Sequence, residues 1–366
     1  MSSRIKKISI LLSYILIVGC KSVDVESNNN FELKFLDEYI LPDNIFVDGT
    51  QVGGLSGIDY YNGLYYLVCD DAFNPRYYEA NIEINNTSIS NVVINNVVKI
   101  KDTSNYLDLE SIRYNPKNKQ VLLTSEGHIK KQKSPLFLSI NLKGKIENNF
   151  KIPPAFHPNS KQKPRHNGTL EGLSKSYDGN GYWIAMELPL KEDGPEPQLK
   201  KTISPVRITH INTITDEADF QFAYLLDPIA KQPKNEFAVN GLTDILEYDK
   251  DKFFVLERSY SSGLGNQGNT IKVFKVDATK ATNTLKMDSL NEMNYTSATK
   301  ELLLDFERFR DKLTNNSIDN IEGISFGPNL ANGNKSLLLV SDNNFNRLGK
   351  QLNQFILLEI INQKPK

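Results

Sequence analysis

Along most of the chain, apolar residues come in short runs rich in Val, Ile, Tyr and Phe, separated by turns of Asn, Gly, Asp and Pro. Sustained helical periodicity is scarce, so the pattern predicts strands and an all-β fold. One two-strand unit recurs five times. It reads Leu55-Ser56-Gly57-Ile58 then Tyr65 to Asp70, and Leu109-Glu110-Ser111-Ile112 then Val121 to Glu126. The third copy is Leu170-Glu171-Gly172-Leu173 then Tyr182 to Glu187, and the fourth Leu242-Thr243-Asp244-Ile245 then Phe253 to Glu257. The fifth is Ile321-Glu322-Gly323-Ile324 then Leu337 to Asp342.

Two further strand-like runs follow each of the first four copies, which makes four antiparallel strands per repeat, the pattern of a β-propeller blade. Only Gln354–Ile360 follows the fifth copy. Phe31–Ile40, upstream of the first copy, is expected to supply the missing outer strand and to close the ring by pairing the two chain ends. The repeats count five blades. The length of the third and fourth repeats leaves room for a sixth, and a β-sandwich followed by a second domain is the competing architecture.

The N-terminus is different. Arg4, Lys6 and Lys7 precede an apolar run from Ile8 to Val18, the layout of a secretory signal too short to span a bilayer comfortably. Ile17-Val18-Gly19-Cys20 resembles a lipobox, so residues 1–19 are expected to be a lipoprotein signal peptide and Cys20 the lipidated residue. Residues 20–30 are polar and are expected to act as a tether, with the propeller over 31–362. This predicts an exported protein, lipid-anchored to the cell envelope, with the outer membrane as the expected site; an ordinary signal peptide is the alternative. With Cys20 lipidated, Cys69 is alone and forms no internal disulfide. A net charge of −1 gives no sign of a nucleic-acid partner, and a monomer is expected.

Aligning the five copies shows an excess of acids. Each second strand ends in one, at Asp70, Glu126, Glu187, Glu257 and Asp342, and Glu110, Glu171 and Glu322 open first strands. In the fourth copy the acid is displaced by one position, to Asp244. In an antiparallel hairpin these positions share one end, so nine carboxylates are expected at one mouth of the central channel. Close like charges must be protonated or held by cations. An oxygen-rich set suits Ca²⁺. Arginines that follow or flank the motifs, among them Arg76, Arg113, Arg165, Arg207, Arg258 and Arg347, could instead neutralise the ring or bind an anion through their planar forks. His128, His157, His166 and His210 lack zinc-ligand spacing. His166 lies just ahead of the third motif, where it would serve as a proton donor or remain a solvent-exposed loop residue.

Six segments carry a family resemblance: Gly53-Gly54-Leu55-Ser56-Gly57-Ile58, Leu109-Glu110-Ser111-Ile112, Leu170-Glu171-Gly172-Leu173, Leu256-Glu257-Arg258-Ser259-Tyr260, Asn320-Ile321-Glu322-Gly323 and Ser341-Asp342-Asn343-Asn344-Phe345. Together the chain resembles the phytase-like propeller family, often called "esterase-like activity of phytase". The resemblance implies an exported β-propeller that hydrolyses phosphoesters or other esters. Propeller phytases are six-bladed and calcium-dependent, so the five-blade count departs from them. The leading expectation is a Ca²⁺-dependent hydrolase of phosphorylated or other anionic small molecules. Glu110, Glu171, Asp244, Glu257, Glu322 and Asp342 would hold metal. Glu171, Glu257, Arg258 and His166 would be catalytic, and Arg76, Arg165, Arg207 and Arg347 would bind substrate. A non-catalytic binding propeller and a lactonase-type Ca²⁺ propeller are the alternatives.

Overall fold

The computed structural model describes residues 31–101 and 106–363, apart from 293 and 348. The signal peptide, Cys20 and the tether lie outside the described residues. Five four-stranded antiparallel sheets form the body. The first blade is β4 (Leu55–Tyr61), β5 (Leu64–Cys69), β6 (Arg76–Asn85) and β7 (Ser88–Lys99), preceded by a small hairpin of β2 (Phe46–Val47) and β3 (Thr50–Gln51). The second is β8 (Leu109–Asn115), β9 (Gln120–Ser125), β10 (Leu136–Asn141) and β11 (Ile146–Phe150). The third is β12 (Leu170–Lys175), β13 (Gly181–Met186), β14 (Pro205–Asn212) and β15 (Glu217–Leu225). The fourth is β16 (Ala238–Asp249), β17 (Lys252–Ser261), β18 (Asn269–Asp277) and β19 (Thr299–Asp305).

The fifth blade joins the ends of the chain. β20 (Asn320–Phe326), β21 (Ser336–Asp342) and β22 (Asn353–Asn362) are completed by β1 (Phe31–Leu41), which pairs with β22 from Phe31↔Asn362 to Leu41↔Asn353. This is the expected closing strand, and it leaves five blades, not six. Inner strands contact one another around the ring in the order β4, β8, β12, β16, β20 and back to β4.

Burial follows from each strand's place. Middle strands lie between neighbouring blades, so both faces are covered and a continuous apolar run is favoured; Leu337 to Val340 in β21 are all fully buried. An outer strand such as β7 meets water on one side and alternates buried with exposed residues over much of its length. Apolar side chains fill the wedges between blades: Trp183 and Ile184 of β13 share a core with Ile245, Phe253 and Phe274 of the fourth blade. Inner strands carry small residues because they converge. A Cβ on Gly323 would come within 2.8 Å of the Gly57 Cα, and one on Gly57 within 2.9 Å of the Glu110 carbonyl oxygen.

Candidate functional site

The third position of the repeat motif faces the axis. It is Gly57, Ser111, Gly172 and Gly323 in four blades and Asp244 in the fourth. Asp244 fills the space the small residues leave. Its carboxylate takes the guanidinium of Arg113 at 2.9 and 3.1 Å and accepts backbone N–H groups from Leu173 (3.1 Å), Ile245 (2.9 Å) and Ile324 (3.0 Å). The Ser111 hydroxyl donates to it as well. Arg113 in turn donates to the carbonyls of Ile58, Ile112, Ile245 and Ile324. Between them these two side chains tie all five inner strands together and close the channel. Asp244 is therefore no metal ligand at the mouth. Its oxygens are taken by a buried arginine and by amides, and both side chains are 1 % exposed.

Above this plug, at the end where inner strands begin, lies the acidic mouth. Leu55, Leu109 and Leu170 pair with Cys69, Ser125 and Met186, and Ile321 with Ser341. The residue after each partner is an acid: Asp70, Glu126, Glu187 or Asp342. In the fourth blade Leu242 pairs with Glu257, so the equivalent position is Arg258. Glu257 is thus out of phase with the other acids, and a one-residue slip turns a strand side chain to the opposite face. There it accepts from Tyr224 Oη, Asp227 N and Asn240 Nδ2 and pairs with Lys300 at 2.8 Å. Among the described residues, the mouth collects seven of the nine expected carboxylates: Asp70, Glu110, Glu126, Glu171, Glu187, Glu322 and Asp342. Asp108 joins them, two residues before Glu110 and on the same side of the chain.

Among the described residues, one cation stands against this group. Arg258 Nη2 lies 3.3 Å from Glu322 and 3.8 Å from Glu187. Its Nε is buried without a hydrogen-bond partner, as is Oε2 of Glu187. Burial is the first cause raising every carboxyl here, and for most of them neighbouring acids add to it. Glu110, Glu171 and Asp70 are pushed well above the usual range, Glu126 and Glu322 to about 8, Glu187 to about 7, and Asp108 and Asp342 to about 6. Arg258 offsets part of the rise at Glu171, Glu187, Glu322 and Asp342.

Two trios could hold cations. Asp108, Glu110 and Glu126 form one and Glu126, Glu171 and Glu187 the other, each with ligand oxygens within 4.8 Å of one another. Glu126 belongs to both. The donors are all carboxylate oxygens, which suits a hard divalent ion. Asp108, Glu126 and Glu187 are absent from the metal set expected from sequence. Glu126 and Glu187 were legible as strand-end acids, and Asp108 from its spacing to Glu110. Glu322 and Asp342 lie in the same mouth but are engaged by Asn320 Nδ2, with Arg258 also on Glu322.

The four expected substrate arginines are not brought together. Arg207 is locked by Asp193 at 2.7 Å through both Nε and Nη2, and by Gln221 and the Met287 carbonyl. Arg165 clamps its own loop through Glu196 and the carbonyls of Pro189 and Gly194. Arg76 and Arg347 meet at Phe345, in a cavity whose lining includes none of the mouth acids. Among the described residues, Arg258 alone faces the carboxylates. His166 is half-buried and stacks on His128 at 4.3 Å, with both Nδ1 atoms unpartnered. Burial, His128 and the lysines at 130 and 131 lower its pKa, which makes it neutral at pH 7 and better suited to accept a proton than to donate one.

No curated protein sequence matches the chain. Among solved structures, it resembles a GH43 β-1,3-galactosidase bound to galactodeoxynojirimycin, at 8 % identity and TM-score 0.46, covering 87 % of this chain and 93 % of that one. A GH62 α-L-arabinofuranosidase catalytic domain from Coprinopsis cinerea matches at 9 % identity and TM-score 0.43, covering 90 % and 98 %. A DUF4221 protein from Bacteroides vulgatus matches at 12 % and 0.39, covering 91 % and 99 %. With TM-scores below 0.5, these likenesses carry no argument about this chain. The family model described as "Phytase-like: Esterase-like activity of phytase" matches residues 50–345, from β3 to the turn after β21. The chain belongs to the phytase-like family.

Proposed function

We propose that this protein is a Ca²⁺-dependent hydrolase of phosphate esters that works at the acidic mouth. The observation that carries the reading is the imbalance there: two oxygen-only trios sharing Glu126, opposite one arginine whose Nε lacks an acceptor. Asp108, Glu110, Glu126, Glu171 and Glu187 would hold the ions. When bound, calcium would polarise a phosphoryl oxygen and acidify a water molecule. Arg258 would hold the anionic group through its planar fork and meet charge that grows on it. The buried walls exclude water and strengthen that attraction. His166, four residues before β12, would accept a proton as neutral imidazole. We also propose that the protein is exported and held to the cell envelope through Cys20.

The test is turnover of a phosphoester panel by the mature chain with calcium and with chelator. Hydrolysis is expected only with calcium. Arg258→Lys keeps the charge and loses the fork, so kcat should fall by at least about tenfold with little change in unfolding midpoint. No hydrolysis of any panel member by the calcium-loaded protein ends this reading.

A further inference from the structure

The end of β21 and the turn after it serve two places. Asp342 belongs to the mouth, whereas Phe345 and Arg347 line a separate cavity of about 430 Å³ beside the first blade. Arg76, Lys99, Asp71 and Gln51 are also in its wall. Three cations there face one carboxylate.

The charges are not equally engaged. Arg76 is 2 % exposed and is fixed by Tyr78 Oη, Asp71, and the carbonyls of Asn74 and Gln51. Asp71, 3.0 Å from it, is matched by this one arginine. Lys99 and Arg347 are both exposed, and among the described residues neither side chain has an ion pair or a hydrogen bond. The cavity therefore keeps two uncompensated positive charges beside a buried arginine.

The fold goes to some length to hold this shape. Both guanidinium groups lie against the Phe345 ring, Arg76 at 5.4 Å and Arg347 at 5.2 Å from its centroid. That ring stands on left-handed backbone, with φ of 46° at Asn344, 49° at Phe345 and 59° at Asn346. Asparagine tolerates this conformation, but a bulky phenylalanine is a true outlier there. Gly54 has φ of +62°, and a Cβ on it would come within 2.7 Å of the ring. Asn343 Oδ1 accepts from the amides of Gly54 and Phe345 and locks the two loops together. Strain that the surroundings keep in place is a mark of a functional position.

We propose that this cavity is an anion-binding site that takes the phosphate or carboxylate group of a small molecule and needs no metal. Arg347 supplies a planar fork, Lys99 a mobile point charge, and Arg76 a fixed positive wall. The site is independent of the hydrolase reading of the mouth.

The experiment is calorimetric titration of the mature chain with inorganic phosphate, and separately with succinate, in the presence of chelator. Binding is expected for at least one probe, and the tighter of the two assigns the group recognised. Lys99→Ala combined with Arg347→Ala should weaken it by at least about tenfold, because both charges that lack a partner are removed. Lys200→Ala combined with Lys201→Ala removes the same charge from an exposed loop of the third blade and should change nothing. The proposal falls if neither probe binds at millimolar concentration, or if the cavity variant binds as the wild type does. Because chelator is present throughout, failure here leaves the calcium reading of the mouth standing.

Discussion

Two groupings of arginine and carboxylate lie at the centre of the propeller and differ in completeness. In the plug, one acid meets one arginine, and amides and carbonyls around them take up the other polar atoms, leaving Arg113 Nε without a partner. In the mouth, one arginine faces eight acids, and both Arg258 Nε and Glu187 Oε2 lack a partner. The same residue types serve opposite ends. A charge-balanced pair fixes structure, while an unbalanced cluster is poised for something that is not part of the chain.

The strongest way to break this contrast is to open the plug. Arg113→Met leaves Asp244 buried without its cation, and should cost about 3–5 kcal/mol in urea unfolding. Replacing both partners with apolar residues should recover much of that. A loss under about 1 kcal/mol for the single change would mean that the pair does not hold the five strands.

Next comes the mouth's response to metal. Calcium at a hundredfold excess over Kd should stabilise the wild type by about 2.7 kcal/mol. Glu126→Gln should remove more of that shift than Glu322→Gln, since Glu126 belongs to both trios and Glu322 to neither. Equal shifts in both variants would displace the metal from the second and third blades.

The third prediction concerns pH. The mouth acids have folded pKa values above their unfolded ones, so between roughly pH 4.5 and 8 the native state binds more protons than the unfolded state. Stability in chelator should therefore fall as pH rises through that window and go on falling through the folded pKa of about 8 for Glu126 and Glu322. Calcium competes with those protons and should flatten the slope. Unfolding midpoints at several pH values, with and without calcium, would show it. A metal-free protein whose stability rises over this range would contradict the crowding of acids.

The smallest expected effect lies outside both regions. Cys20→Ser should leave the unfolding midpoint unchanged and move the protein from the detergent phase to the aqueous phase. A wild type already in the aqueous phase would remove the lipid anchor.

The blade repeats and the closing strand were legible because each strand writes its burial into its own sequence. Val121 to Leu123 and Leu337 to Val340 read as covered runs before any pairing is known. The mouth was legible in outline for the same reason, since Glu110, Glu171 and Glu322 occupy equivalent places in the motif. The fourth blade was not, because its motif keeps the acids but changes their register. Matching Glu257 to Glu187 by eye ignores the pairing of Leu242 with Glu257, which gives that place to Arg258. Asp244 looked like a displaced mouth acid, and only the convergence of Gly57, Gly172 and Gly323 shows that it fills a gap at the axis. The dispersal of Arg165 and Arg207 was also hidden, because Asp193 and Glu196 sit in a loop that carries no repeat signal.

The plug also decides how traffic must run. With Arg113 and Asp244 closing the axis, the mouth is a cul-de-sac, not a tunnel. Whatever enters must leave by the same door, so a departing product stands in the path of the next arrival. On the phosphoester reading proposed above, inhibition by released phosphate should then be competitive with substrate. Exchange at the rim, and not passage through the body, would set the upper limit on how fast the site can be reused.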